Sequence, residues 1–361
     1  MTVKSFDIAV IEGDGIGPEI TSCAKKVLDK TGELFSYSLN YIPVCMGGKA
    51  IDDHGEPFPA EEREKCLKAD SVLLSAVGGP KWDNCPERPE KGLLTLRKIM
   101  ECFANLRLIR LFPELSDASP LKRSILDKGI DIMVVRELTG GIYFGEHSIS
   151  ERSAYDIELY NDYEIERVVR RACEIAKKRK KKLCLADKAN VLSSSKLWRR
   201  IFTETVNDYP QIECTYMYID NLSMQLIRDP SQFDVIVTSN MFGDIITDEA
   251  SMLTGSLGMI PSASLGNSSK GIYEPIHGSA PDIAGRGIAN PCAMILSGAM
   301  MLRYSFDLPK AADVIEKAVE NVLKKGYRTR DIATEGCILT RSEEFTDIII
   351  KEIEDISKCN E

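Results

Sequence analysis

Short apolar runs recur along this chain, most of them followed by a stretch of helical spacing, and this alternation limits the possible folds more than any other feature. Residues 6–11 read as a buried strand, and the turn GDGIGP then leads into a helix from 19 to about 31. Apolar runs at 71–77, 130–136, 183–186, 214–219 and 233–238 have strand length. The stretches 93–106, 163–182, 195–207, 287–304, 310–325 and 346–357 have helical spacing. Gly140 and Gly141 predict a turn opening a hairpin at 142–144. Strands alternating with helices predict an α/β chain whose largely parallel sheet is covered on both faces. The 361 residues suffice for two domains, although no linker or internal repeat marks a boundary.

Composition narrows the partners. A chain that is 43% hydrophobic and 28% charged is that of a soluble globular protein. Its formal net charge of -9 opposes nucleic acid and anionic membrane, so an anionic ligand needs a local cluster of cations. Residues 1–14 make a poor secretory signal, and the apolar stretch 288–302 is interrupted by Asn290, Pro291, Ser297 and Gly298. Eleven cysteines, with no CxxC pair, suit neither a disulfide framework nor a zinc knuckle and point to a reducing cytoplasm. With only three histidines, acid–base chemistry falls to Lys, Tyr, Asp or Glu.

Two suggestive patterns fail on spacing. Gly13, Gly15 and Gly17 follow a strand as GxGxG rather than GxGxxG, and no Gly-Lys-Ser/Thr follows, so neither a dinucleotide fingerprint nor a phosphate loop is met. The basic run 177–182 ends a helix, where cations suit the dipole, and it lacks interleaved aromatics.

Other residues suggest chemistry. Asp244 and Asp248 lie four apart at a helix start, on one face, where like charges repel unless a cation bridges them. Carboxylates of this kind suit Mg²⁺ or Mn²⁺, or else they simply decorate a first turn. Asp220 lies between a strand and a helix at 221–228, and it reads as an N-cap or as a third ligand at a strand end. Arg136 closes an apolar run, where a lone cation needs a partner. A guanidinium there can grip a carboxylate bidentately, or it can pair with a neighbour such as Glu137. Arg97 and Arg107 flank one helical stretch, so three arginines could converge on a dianion. Lys188 and Tyr143 are candidate proton carriers, or plain surface groups.

In combination these residues resemble the β-decarboxylating dehydrogenases of the isocitrate/isopropylmalate family, over nearly the whole chain. The resemblance is carried by GDGIGPE (13–19), GLLTLR (92–97), FANLR (103–107), VRELTGGIYFG (135–145), DKAN (187–190), YIDN (218–221), NMFGDIITD (240–248) and HGSAPDIAG (277–285). It implies a two-domain fold with a large mixed sheet flanked by helices and a non-Rossmann NAD site. The domains would be 1–103 with 256–361, binding NAD, and 104–255, carrying substrate, metal and dimer contacts. It further implies that Arg97, Arg107 and Arg136 bind substrate carboxylates and that Asp220, Asp244 and Asp248 hold Mg²⁺ or Mn²⁺. Lys188 with Asp220 would take the hydroxyl proton, and Tyr143 would return one to carbon. Lys188 and Asp220 would come from the partner subunit of a homodimer. The expected NAD contacts are His277, Gly278, Ser279, Ala280, Asp282 and Asn290, with Ile16, Asn190, Glu274 and Ile283. Asp282 would accept from the adenosine ribose and repel a 2′-phosphate, favouring NAD over NADP.

Within this resemblance, substrate choice rests on Leu93 and Leu94, apolar where an isocitrate enzyme needs a polar partner for a third carboxylate; the alternative is that the pair is plain core. With Glu90 opposing a further negative charge, the pair predicts 3-isopropylmalate and a place in leucine biosynthesis; homoisocitrate, isocitrate or tartrate are the alternatives. The family usually places Pro after the second arginine. Leu108 stands here instead, which is expected to loosen a turn.

Overall fold

A computed structural model describes residues 3–358. The fold is α/β with mixed sheet flanked by helices, and its main sheet strands fall five into each of two compact units. The first unit is Met1–Glu101 with Gly255–Glu361, and the second is Cys102–Thr254.

In the first unit the strands run Tyr37–Pro43, Lys4–Ile11, Ser71–Leu74, Gly271–Pro275 and Pro261–Leu265, in that spatial order. The first four are mutually parallel; the last pairs antiparallel with Gly271–Pro275. Ser71–Leu74 is buried throughout, as a strand covered on both faces must be. The helix Cys292–Tyr304 is buried almost all round and packs against Gly17–Phe35 and Pro309–Lys324. Ser342–Lys358 packs on both of those latter helices.

Asp14 organises one corner of this unit. Its buried carboxylate accepts the amide hydrogens of Gly48 (2.9 Å), Lys49 (3.0 Å) and Gly78 (2.8 Å), so it starts the helix Gly48–His54 and pins a second loop. The turn carrying Asp14 needs glycine: Gly15 has φ +59°, and a Cβ there would meet the Ser279 carbonyl oxygen at 2.0 Å.

In the second unit the order is Ala104–Arg110, Asp131–Glu137, Val235–Thr238, Lys182–Asp187 and Glu213–Tyr218. The first pair is antiparallel and the rest parallel, so the sheet is largely parallel, as expected, and mixed through one antiparallel pair. The longer helices of this unit are Asp162–Lys177, Ser193–Val206, Ile219–Arg228 and Asn240–Ser251. Asp162–Lys177 opens on a capping box between Asn161 and Glu164.

Several elements depart from the sequence expectation. The stretch 93–106 is not one helix: Glu90–Ile99 ends at Met100, Glu101 turns left-handed (φ +53°), and Ala104–Arg110 is a strand. Arg107 therefore projects from a strand. Leu108 pairs with Met133 in that strand, so no turn exists there for a proline to tighten. Gly140 and Gly141 lead into a single 3₁₀ turn, Gly141–Tyr143, and the hairpin comes later, His147–Ile149 against Ala154–Asp156. The helix expected at 287–304 starts only at Cys292, after Pro291. Asp220 is not a cap but lies in the first turn of Ile219–Arg228, which Tyr218 precedes. Strands Tyr37–Pro43, Pro261–Leu265 and Gly271–Pro275 were not expected, because glycine, proline and polar residues dilute their apolar pattern.

Replacing Asp14 by Ala leaves three amides without their acceptor and should cost roughly 3 kcal/mol of unfolding free energy. Denaturant unfolding of the variant checks this; a midpoint equal to the wild type's would mean that water replaces the carboxylate.

Candidate active site

The second unit gathers cations and carboxylates around one helix. Arg107 and Arg136 stand on adjacent antiparallel strands, and both are buried. Asp244, on the helix Asn240–Ser251, answers both: Oδ1 accepts from Arg136 Nη1 at 2.5 Å and from Arg107 Nη2 at 3.3 Å. Its Oδ2 accepts from the Tyr143 hydroxyl at 3.0 Å, and the Arg136 guanidinium lies 5.8 Å from the Tyr143 ring centre. Asp248, one turn on, is 3.6 Å from Arg107 Nη1. Burial, together with the nearby Asp244, pushes the Asp248 carboxyl above its ordinary value, against the pull of Arg107. Burial and Asp244 likewise raise Tyr143, so its hydroxyl keeps its proton at neutral pH.

Residues without apparent chemistry hold this cluster. Asn240 Oδ1 accepts from Arg136 Nε (3.0 Å) and Nη2 (2.7 Å), while its side-chain amide donates to the Gly140 carbonyl (3.1 Å). One side chain thus ties an arginine to the turn that carries Tyr143. The Tyr160 hydroxyl accepts the Asn240 amide hydrogen, and its ring leaves no room for a side chain at Gly141. Buried Glu137 does not pair with Arg136; it accepts from the amides of Thr139 (2.9 Å) and Gly140 (2.8 Å). Gly243 lets the helix approach, since a Cβ there would sit 2.6 Å from Arg136 Cγ. Asn240 and Gly243 lie inside a matched motif, but nothing in their residue type signals a holding role.

Lys188, just past the strand Lys182–Asp187, donates to Asp220 at 2.8 Å. That bond holds the exposed Asp220 carboxyl below the usual carboxylate range. The carboxylates of Asp220, Asp244 and Asp248 do not all come within 4.8 Å of one another in a single chain. Asn190 is exposed in the loop after Lys188.

The first unit holds the remaining expected residues. Arg97 is buried with Nη2 on Glu274 at 2.9 Å, and its Nε has no partner among the described residues. Leu93 and Leu94 are half-buried on the helix Glu90–Ile99. Burial works against the Glu90 carboxylate, but Arg88 at 3.2 Å outweighs it and the group titrates below its ordinary value.

A cavity of about 810 Å³ in this unit is lined by Ile16, His277, Gly278, Ala280, Asp282, Ile283 and Asn290, all expected cofactor contacts. Ser256, Leu257, Arg286, Arg330 and Asp331 also line it and were not foreseen, since they lie outside the matched segments. Asn290 is oriented by Asp331, to which its side-chain amide donates at 3.0 Å. Ser279 supports the wall from behind: its hydroxyl donates to the Gly78 carbonyl (2.7 Å) and its own carbonyl accepts from the Ile16 amide (2.8 Å). Burial lowers the His277 pKa and keeps the ring neutral, and its Nε2 is buried without a partner among the described residues. An unpartnered buried nitrogen in a wide cavity fits a polar ligand such as a dinucleotide. The all-oxygen carboxylate set of the second unit likewise fits a hard divalent cation.

Residues 7–349 match the isocitrate/isopropylmalate dehydrogenase family. Among relatives, the 3-isopropylmalate dehydrogenase of Clostridium acetobutylicum is 55% identical over 97% of this chain and all of that protein. The enzyme of the same description from Aquifex aeolicus is 53% identical over 98% of each. Among solved structures, the isocitrate dehydrogenase of Methylococcus capsulatus superimposes with a TM-score of 0.86 at 32% identity, over 96% of this chain and 99% of that one. A β-decarboxylating dehydrogenase of Thermococcus kodakarensis gives 0.80 at 36% identity, over 98% and 97%. This chain belongs to the isocitrate/isopropylmalate dehydrogenase family.

Asn240→Ala leaves a buried guanidinium short of an acceptor and frees the Gly140 turn; roughly 2 kcal/mol of stability should be lost. Thermal unfolding measures the loss, and an unchanged Tm would show that Asp244 alone suffices to hold Arg136.

Proposed function

We propose that this chain catalyses the NAD-dependent oxidative decarboxylation of (2R,3S)-3-isopropylmalate to 4-methyl-2-oxopentanoate and CO₂, a step of leucine biosynthesis. The observation that carries the substrate is the half-buried pair Leu93 and Leu94, which offers apolar surface where a tricarboxylate would need a charge partner. Identities above 50% over nearly whole chains to relatives described as 3-isopropylmalate dehydrogenases support the same reading.

Arg107 and Arg136, both buried, are the proposed partners of the substrate carboxylates; Arg97, in the first unit, is assigned a third such role by its matched motif. Asp244, Asp248 and the Asp220 of a second copy are the ligands for Mg²⁺ or Mn²⁺. A divalent cation held there would supply polarisation of the C2 oxygen, and NAD would supply the hydride acceptor. Lys188, held by Asp220, takes the hydroxyl proton as the neutral amine, having first given a proton to solvent. Tyr143 keeps its proton beside Asp244 and delivers it to the carbon that has lost CO₂. His277, Gly278, Ala280, Asp282, Ile283, Asn290 and Ile16 contact the cofactor, with Asp282 on the ribose. For Ser279 and Glu274 the support is indirect, since each holds a neighbouring group of the first unit; Asn190 rests on the motif alone.

A homodimer belongs to this reading, in which Asp220 of a second copy completes the set begun by Asp244 and Asp248. Exposed Met224 and Ile227 on one helix, Ile245 on another, and Ile149 and Tyr155 on the hairpin are apolar surface available for a second copy. A cytoplasmic setting goes with this reading. No described helix is long and apolar enough to cross a membrane.

An NADH assay with Mg²⁺ or Mn²⁺ across 3-isopropylmalate, isocitrate, homoisocitrate and tartrate should give the highest kcat/KM for the first; preference for a tricarboxylate would sink the assignment. Leu94→Ser should cost about 10- to 200-fold in kcat/KM on 3-isopropylmalate and spare the smaller hydroxy acids. An equal loss on every substrate would remove Leu94 from the pocket. Asp282→Ala should weaken NAD and narrow its lead over NADP, and unchanged Kd values for both would contradict the ribose contact.

A further inference from the structure

Cys45, Asp53 and His54 take no part in the chemistry above, yet they form a compact group. One ligand atom from each, the Cys45 thiol sulfur, an Asp53 carboxylate oxygen and a His54 ring nitrogen, lies within 4.8 Å of the other two. Among the described residues no other group of three or more His, Cys, Asp or Glu side chains meets that limit. Local structure holds the three in place. Cys45 follows the strand Tyr37–Pro43, and its backbone amide donates to Glu62 Oε2 at 2.8 Å. Asp53 and His54 end the helix Gly48–His54, whose first amides are held by Asp14. Cys45 is half-buried while Asp53 and His54 are exposed, so the group opens to solvent on one side. Cys45 also lines a cavity of about 590 Å³ with Glu12, Lys25, Tyr41, Glu62 and Lys65, which leaves the thiol approachable.

We propose that Cys45, Asp53 and His54 form a second metal site, for a borderline divalent cation of the zinc class. One sulfur, one imidazole nitrogen and one carboxylate oxygen with a water in the fourth position match an open tetrahedral site. The same donors suit Mg²⁺ poorly, because sulfur and imidazole select softer ions than an all-oxygen set does. The two sites are therefore chemically distinct, and a cation saturating one should not compete for the other. On binding, the thiol gives its proton to solvent and the sulfur coordinates as thiolate. Asp53 is already engaged by Lys49 at 2.8 Å, and the cation displaces that ammonium or shares the carboxylate with it. The pair is solvent-exposed, so this competition is weak. An occupied site would tie the Cys45 segment to the end of the helix whose beginning is bound to Asp14. The bound state should thus resist heat more than the free one.

The test is a Cd²⁺ titration of the full chain in saturating Mg²⁺, followed by the near-ultraviolet absorption of the cadmium–thiolate bond. The proposal expects one equivalent whose absorption is missing in Cys45→Ser. It also expects affinity to fall about tenfold or more in His54→Gln, since even outer partners of metal ligands cost that much. Zn²⁺ should raise the Tm of the wild type and leave that of Cys45→Ser unchanged. An identical absorption in Cys45→Ser would overturn the proposal. So would a signal that depends on Cys45 but is untouched in both His54→Gln and Asp53→Asn, because a thiol alone is then the ligand. His54 and Asp53 are exposed, so these two variants should keep the metal-free Tm and separate lost binding from lost folding.

Discussion

Two guanidiniums buried side by side on neighbouring strands are a costly arrangement, and the second unit is built around making it tolerable. Arg107 and Arg136 cannot be left unpaired away from water. Asp244 accepts from both and also engages Tyr143, so one carboxylate fixes the heads of three side chains. That demands close approach by the helix Asn240–Ser251, which Gly243 permits, and a second acceptor on Arg136, which Asn240 provides. Tyr160 and Glu137 then hold the turn leading to Tyr143.

Charge is balanced locally throughout. Arg107 and Arg136 face Asp244 and Asp248, Lys188 faces Asp220, and Arg97 faces Glu274. Each group is close to neutral before anything binds. A doubly charged acid arriving with a divalent cation leaves that balance unchanged, whereas either one alone upsets it. The same reasoning disfavours a third carboxylate near Glu90, which stays ionised beside Arg88.

Much of this was legible in the chain and some was not, for physical reasons. The α/β class followed from apolar runs alternating with helical spacing, because Asp131–Glu137 and Val235–Thr238 are buried strands rich in β-branched residues. Tyr37–Pro43 and Gly271–Pro275 escaped notice because polar and turn-forming residues break their pattern, and neighbouring strands supply the burial. Periodicity also ran the helical stretch on to Leu106, into the strand Ala104–Arg110, since apolar residues continue through the left-handed turn at Glu101 with no mark of where one spacing stops. The chemically active residue types stood out singly, but their meaning came from the segments around them. Asn240 and Asp331 could not be singled out, because a supporting hydrogen bond leaves no mark in the residue type.

The wide cavity of the first unit has a wall formed by a surface peptide from His277 to Asn290 rather than by a glycine-rich strand-to-helix turn. Asp282, on that peptide, is exposed and belongs to no sheet strand or helix. On the proposed reading, substitutions at its exposed positions would change what the cavity recognises, whereas Ser279, Ala289 and Asn290 are buried and tie the peptide to the interior. In evolutionary terms, the proposed coenzyme preference would then be a trait that lineages can exchange by editing a few exposed loop positions, while the scaffold is inherited intact.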